Sequence, residues 1–211
     1  MTRLYFIRHG QSEANLQQYF AGHCDAPLTP LGVQQAKQTA EYVKDVPFTA
    51  VYASDLARAA ATGQAVADCK GLVLQTTDRL REINAGEWEH QPFTELLKRE
   101  DYAVWMRQIG LSSCTGGESV QQLQQRIKAA VEDIVRAHPG ETVCIATHAT
   151  PIRVMECVWT GTPLAEMHTI PWVANASVTV AEYDETLCGR LVERDIRSHL
   201  RELMTDMPVN V

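Results

Sequence analysis

The chain alternates short apolar segments with longer amphipathic ones, and this pattern predicts the order of its strands and helices. Four segments have the length and apolar content of buried strands: residues 3–8, 48–54 (FTAVYAS), 71–78 (GLVLQTTD) and 142–148 (TVCIATH). Residues 176–184 (ASVTVAEYD) alternate apolar and polar positions. That alternation predicts an antiparallel edge strand, which we expect to pair with residues 189–195 (GRLVERD).

Segments with helical periodicity lie between these strands. Residues 29–46 begin with Thr29 as a candidate N-cap and Pro30 in the first turn. Residues 54–69 predict an alanine-rich helix that begins at Ser54 or Asp55. Further helices are predicted over residues 116–140, with a clear amphipathic pattern, and over residues 150–161.

Residues 84–117 do not follow this alternation. They combine many charged residues with four aromatic ones: Trp88, Phe93, Tyr102 and Trp105. We interpret the segment as a short helical insertion, or lid, over the active site. Its aromatic residues either form a core for the insertion or contact a substrate, and the sequence leaves both alternatives open.

Strands that alternate with helices predict a three-layer αβα sandwich with a mostly parallel sheet and one antiparallel edge strand. The 211 residues suit a single domain, residues 1–211, that carries the insertion. No apolar run approaches the roughly 20 residues that cross a bilayer. Neither a membrane span nor a signal peptide is expected, and the expected location is the cytoplasm.

Charge and cysteine content exclude several classes of partner. The net charge is −7, which disfavours a nucleic-acid surface, although an anionic ligand can still bind where a few arginines converge. The six cysteines are scattered without a C-x-x-C pair. We therefore expect reduced thiols, no metal site and no cofactor.

Charged and polar residues collect where the predicted strands end. The first strand ends at Arg8 and His9, and the last parallel strand ends at His148. Arg58 follows the second strand by about one helical turn, and Glu82 follows the third. Because ligands bind beyond the carboxyl ends of parallel strands, these side chains are expected to meet in one pocket.

This set of side chains suits phosphoryl transfer. Guanidinium groups match phosphoryl oxygens, and a neutral imidazole is a competent nucleophile near neutral pH. A second imidazole can stabilise charge that develops on the oxygens. A carboxylate can protonate the leaving oxygen and then activate water. None of these steps requires a metal ion.

The segment IRHGQSEAN resembles the R-H-G signature of the histidine phosphatase superfamily, which has the phosphoglycerate-mutase-like fold. Five further segments match in the expected order: DAPLTPLGVQQA, SDLARAAAT, LREINAGEWE, GGESV and THATPIR. The resemblance covers residues 4 to about 153 and is to branch 1 of the superfamily.

The resemblance implies a role for each matched residue. It implies His9 as the nucleophile that becomes phosphorylated, Glu82 as the proton donor, and Arg8, Arg58 and His148 as ligands of the phosphoryl group. Asn15 matches a residue that touches phosphate or substrate. Candidate substrate contacts are Gly22, His23, Trp88 and Ala149, the last standing where the family often has glycine.

The predicted function is therefore hydrolysis of a small phosphorylated metabolite. One alternative is a cofactor-dependent phosphoglycerate mutase, but the short insertion lacks the paired arginines of that branch. Another is a module that binds a phosphorylated ligand without turnover. A dinucleotide-binding enzyme is excluded because R-H-G-Q-S-E replaces G-x-G-x-x-G after the first strand. The sequence leaves monomer and homodimer open.

Overall fold

A six-stranded sheet forms the centre of the computed structural model, which describes residues 1–205. Its order is β3-β2-β4-β1-β5-β6. The strands are β1 (Thr2–Arg8), β2 (Phe48–Ser54), β3 (Leu74–Thr77), β4 (Thr142–Thr147), β5 (Val178–Tyr183) and β6 (Gly189–Ile196). Strands β1 to β4 pair in parallel, whereas β5 is antiparallel to both β1 and β6. The predicted α/β class is confirmed, but β6 rather than β5 occupies the edge.

Helices cover both faces of the sheet. They are α1 (Glu13–Gln17), α2 (Pro30–Tyr42), α3 (Ala57–Lys70), α4 (Phe93–Leu96), α5 (Glu100–Arg107), α6 (Val120–Ala137) and α7 (Ala149–Thr160). Alternate residues of β4 enter two different cores, since Val143 packs with residues of α6 and α7 while Cys144 packs with residues of α2 and α3. Because both faces of the sheet are buried, the parallel strands have nearly continuous apolar sequences.

The predicted start of α2 agrees with the structure, whereas that of α3 does not. Thr29 caps α2, with its hydroxyl accepting a hydrogen bond from the Gly32 amide at 3.0 Å, and Ser119 forms a capping box at the start of α6. Helix α3 begins later than predicted, after Leu56. Asp55 is paired with Arg81, and Asp25 from a distant loop accepts the Ala57 amide at 2.6 Å. A long-range contact therefore replaces the local cap that the sequence suggested.

The predicted insertion contains α4, α5 and two short 3₁₀ turns, Gly86–Trp88 and Ile109–Leu111. Three of its aromatic residues, Trp88, Tyr102 and Trp105, are buried in the larger core, while Phe93 is partly buried against it. No helix within residues 1–205 is both long and apolar enough to span a membrane.

Candidate active site

The R-H-G turn at the end of β1 is fixed by backbone contacts on several sides. The His9 amide donates to the carbonyl of Thr147 on β4 at 2.9 Å. Gly10 packs so closely on α2 that a Cβ atom there would lie 2.4 Å from the Gly32 carbonyl oxygen. Because no larger residue fits between β1 and α2, glycine follows the histidine.

His9 is buried, and its orientation is set by a local hydrogen bond. Its Nδ1 lies 2.7 Å from the carbonyl oxygen of Gly10, an acceptor, so Nδ1 carries the proton and Nε2 holds the lone pair. Burial, together with the positive charges of Arg58 and Arg8, lowers the pKa of His9 well below its ordinary value. The imidazole is therefore neutral and nucleophilic near neutral pH.

Two buried guanidinium groups flank this histidine, and backbone carbonyls orient both. Arg8 donates to the carbonyl of Val173 at 2.6 Å, and Arg58 donates to those of Cys24 and Gly22, each at 2.8 Å. Burial lowers the pKa of Arg8 to about 10 and also lowers that of Arg58. Both groups stay charged near neutral pH and suit the oxygens of a phosphoryl group.

His148 meets His9 across the ends of β1 and β4. Their ring centroids are 5.2 Å apart, with an angle of 63° between the planes. His148 is completely buried, and neither of its ring nitrogens has a hydrogen-bond partner within residues 1–205. Burial and the charge of Arg58 lower its pKa well below the ordinary value. An unsatisfied buried imidazole beside the nucleophile is suited to donate to a bound phosphoryl oxygen.

Among the described residues that line the pocket, Glu82 is the acidic one. Its carboxylate accepts hydrogen bonds from the amides of Ile83 at 2.8 Å and Thr150 at 3.3 Å. The two neighbouring acids have other contacts: Glu87 pairs with Arg99, and Glu89 accepts the His23 amide. Among the three glutamates that the sequence could not separate, the structure thus places Glu82 in the pocket.

Arg126 on α6 holds the loop that carries Glu82, a role the sequence did not suggest. Its guanidinium donates to the carbonyls of Arg79, Arg81 and Glu82, each at 3.0 Å. The remaining donors bind both carboxylate oxygens of Glu118 at 3.0 and 2.8 Å. All five N–H groups of one side chain are used in this way.

Aromatic residues form a large part of the pocket lining. The pocket encloses roughly 660 Å³ of non-protein space, part of it open to solvent, and Asn15 lines it beside Arg8 and His9. Its aromatic wall consists of Tyr19, Phe20, Phe93, Trp105 and Trp172. Of these, only Phe93 and Trp105 belong to the predicted insertion, so half of the aromatic set noted in the sequence reaches the pocket.

The predicted substrate contacts divide between the pocket and positions behind it. Gly22 and Ala149 line the pocket. Trp88 lies in the aromatic core of the insertion, where it is fully buried and its indole N–H donates to Asp101 at 3.1 Å. His23 donates from Nε2 to the Glu82 carbonyl at 2.9 Å and supports the loop from behind. The structure therefore places neither Trp88 nor His23 at the pocket surface.

Asn175 is a further residue of the site that the sequence analysis missed. It donates to the His9 carbonyl at 3.1 Å and to the side-chain oxygen of Asn15 at 3.2 Å. Asn175 precedes β5. Because β5 runs antiparallel to β1, its amino end lies beside the carboxyl ends of the parallel strands. A polar residue before a predicted antiparallel strand is the signal that could have identified it.

The site therefore presents a neutral imidazole, two guanidinium groups, a second imidazole and a carboxylate at the carboxyl ends of the parallel strands. A sequence model of the histidine phosphatase superfamily, branch 1, matches residues 4–193. The chain belongs to this superfamily. No group of three or more His, Cys, Asp or Glu side chains within residues 1–205 is arranged to hold a metal ion.

Similar proteins cover nearly the whole histidine phosphatase chain. Phosphoserine phosphatase 1 of Hydrogenobacter thermophilus is 28% identical over 208 residues, 98% of each chain. A probable phosphoglycerate mutase, GpmB, of Escherichia coli is 30% identical over 191 residues, which cover 89% of this chain and 87% of that protein. The solved structure of Bacillus stearothermophilus YhfR superposes with a TM-score of 0.90 at 30% identity, covering 95% of this chain and 100% of that one.

Proposed function

We propose that this protein is a metal-independent phosphatase that hydrolyses a small phosphorylated metabolite through a phosphohistidine on His9. The observation that carries the proposal is the buried, neutral His9, whose Nδ1 donates to Gly10 and which lines one pocket together with the two oriented arginines, Arg8 and Arg58. Family membership and the similarity to a phosphoserine phosphatase support the same reaction class.

In the first half-reaction, the lone pair on His9 Nε2 attacks phosphorus and the bond to the ester oxygen breaks. Glu82 donates its proton to the leaving alkoxide, while the bond from Nδ1 to the Gly10 carbonyl stabilises the imidazolium that forms. Arg8, Arg58 and His148 stabilise the charge on the non-bridging oxygens.

In the second half-reaction, the Glu82 carboxylate takes a proton from water. The water oxygen attacks phosphorus, the bond from phosphorus to Nε2 breaks, and inorganic phosphate leaves. His9 recovers its lone pair and Glu82 its proton, so that the cycle is balanced.

Phosphoglycerate mutation is the second candidate function, since one relative is named a probable mutase. A phosphoglycerate mutase needs cationic side chains that bind the carboxylate of its substrate. Two of the three cations in residues 93–107 pair with other side chains: Lys98 pairs with Glu95, and Arg99 pairs with Asp101 and Glu87. This pairing favours water as the acceptor of the phosphoryl group.

A screen of phosphorylated metabolites for phosphate release tests the function. We expect turnover in the presence of EDTA, no turnover by the His9→Ala variant, and little isomerisation of phosphoglycerate even with bisphosphoglycerate added. Rapid isomerisation would move the protein to the mutase reaction. Tight binding of phosphorylated compounds without phosphate release would make it a binding module.

The proposal includes a cytoplasmic location and a small-molecule partner. The location rests on the six scattered cysteines, which lack a C-x-x-C pair and suit a reducing compartment. The segment formed by residues 84–117 is proposed to act as the lid of the pocket, because Phe93 and Trp105 line it.

A further inference from the structure

We infer that the physiological substrate is a phosphomonoester whose alcohol part carries a flat, uncharged ring and no second anionic group. This inference rests on the proposed phosphatase function and adds the substrate class. It depends on two features of the same pocket: the aromatic wall and the distribution of its cations.

The aromatic wall is preformed rather than adaptable. The Phe20 ring packs 6.0 to 6.5 Å, centroid to centroid, from the rings of four insertion residues: Trp88, Phe93, Tyr102 and Trp105. On the other side, the guanidinium of Arg153 lies 4.2 Å from the centroid of Trp172 and donates to the carbonyls of Ile170 and Met167. Rings that are supported from behind offer flat apolar faces at low entropic cost.

The cationic side chains that line the pocket are those proposed to bind the phosphoryl group. Among the described residues that line it, the cationic ones are Arg8 and Arg58, which flank His9. The other residues that line it include the aromatic wall and Glu82, none of which offers a cationic partner to a second anion. Residues 206–211 have the sequence DMPVNV and add no lysine, arginine or histidine.

A substrate carboxylate would therefore lose its hydration against aromatic faces without gaining a cationic partner. A ring in the same place would bury apolar surface and stack on the wall. Phosphoserine, which gives one relative its name, carries a carboxylate close to the ester and lacks a ring. We expect it to be a poor substrate here.

Four primary phosphate esters separate the effect of the ring from that of the charge: ethyl phosphate, 3-phosphonooxypropanoate, benzyl phosphate and 4-carboxybenzyl phosphate. Their leaving alcohols have similar basicity, so differences in kcat/KM report recognition. We expect benzyl phosphate to exceed ethyl phosphate by about 10-fold to 100-fold. The added carboxylate should lower kcat/KM in both series by about 10-fold or more.

A variant pair tests whether the wall is responsible. Phe93→Arg places a cation in the pocket and should raise kcat/KM selectively for the two carboxylate esters. The neighbouring Thr94 is exposed and does not line the pocket, so Thr94→Arg is the control for added charge on α4 and should change none of the four values.

The outcomes distinguish this inference from the proposed function. Equal turnover of all four esters, abolished by His9→Ala, would overturn the substrate class and leave the phosphatase function intact. A preference for the carboxylate esters would do the same. Absence of phosphate release from every ester would contradict both.

Discussion

Two histidines carry the chemistry at the residue scale, and both are buried beside guanidinium groups. Burial and the neighbouring positive charges lower the pKa of His9 and of His148, which keeps both imidazoles neutral. A neutral His9 provides the nucleophilic lone pair, whereas a charged one would be inert. The arrangement therefore permits nucleophilic attack below the pH at which an exposed histidine becomes protonated.

Nitrogen-15 NMR of the free protein tests this protonation state. We expect His9 and His148 to stay neutral from about pH 7.5 to about pH 5.5, with the proton of His9 on Nδ1. Signals are assigned with the His9→Ala and His148→Ala variants. Titration of either ring near the ordinary histidine pKa, or a proton on Nε2 of His9, would contradict the site described above.

Arg58 is expected to act through the geometry of its guanidinium group and not through charge alone. Arg58→Lys loses the two oriented bonds to Cys24 and Gly22, and we expect kcat/KM to fall on the order of 10²-fold. Arg79→Lys is the control, because that side chain is 43% exposed and pairs with Asp133 away from the pocket. Full activity of Arg58→Lys would remove Arg58 from phosphoryl binding.

Most of the residues placed at strand ends could be predicted because their positions follow from local pattern. Arg8, His9 and His148 end apolar runs, and parallel strands bring their ends together. Glu82 could not be separated from Glu87 and Glu89, since a loop conformation decides which one enters the pocket. That conformation depends on Arg126, which lies 44 residues further along the chain.

At the scale of elements, the loop that carries Glu82 is held by Arg126 on α6. We expect Arg126→Lys, which replaces five donors with three, to displace the Glu82 carboxylate. Hydrolysis of alkyl phosphates should slow about 10-fold or more, because the alkoxide needs the proton of Glu82. The kcat/KM for p-nitrophenyl phosphate should change little, since it reports only the first half-reaction, in which the phenolate leaves without protonation, and not the later activation of water by Glu82.

The difference between the two substrates separates positioning of Glu82 from general damage to the fold. Arg136→Lys is the matched control, since Arg136 lies on the same helix, is exposed and pairs with Glu132 and Asp133. Equal slowing of both substrates by Arg126→Lys, with unchanged thermal stability, would disprove the positioning role.

The element boundaries that sequence analysis missed depend on contacts between distant segments. Helix α3 was expected to begin at Ser54 or Asp55, but Asp55 is held by Arg81 instead. The burial of Trp88 likewise depends on its packing with Tyr102 and Trp105, whose ring centroids lie 5.4 and 5.5 Å away. Local periodicity carries no information about such pairs.

At the scale of the whole molecule, buried neutral histidines link stability to pH. Burial lowers the pKa of His9, His148 and His199 in the folded state. Below about pH 6.5 the unfolded chain binds protons that the folded chain does not, so the free energy of unfolding falls as pH decreases. Each histidine contributes up to about 1.4 kcal/mol per pH unit.

Urea denaturation at about pH 7 and about pH 5.5 measures this dependence. His148→Gln should reduce the loss of stability on acidification, whereas the exposed His168 is the control, and His168→Gln should leave it unchanged. If the free energy of unfolding falls equally between the two pH values in the wild type and in His148→Gln, His148 does not contribute to the acid sensitivity.

The succession of strands and helices along the chain, and the position of the site at the carboxyl ends of the parallel strands, follow from the alternation of apolar segments. The place of β5 does not, because an alternating strand can lie at the edge or beside it, and pairing with β6 decides between the two. The sequence also indicated only two of the five rings of the aromatic wall, since Tyr19, Phe20 and Trp172 come from segments outside the insertion.

Trapping of the covalent intermediate tests the proposed reaction most directly. The protein is mixed with a reactive phosphomonoester in the presence of EDTA, quenched in alkali, digested and examined by mass spectrometry. We expect one phosphorylated peptide, modified on His9 by a bond that is stable in alkali and labile in acid, and no modification in His9→Ala. Near-normal turnover by His9→Ala, or a phosphoryl group on any other residue, would contradict the mechanism.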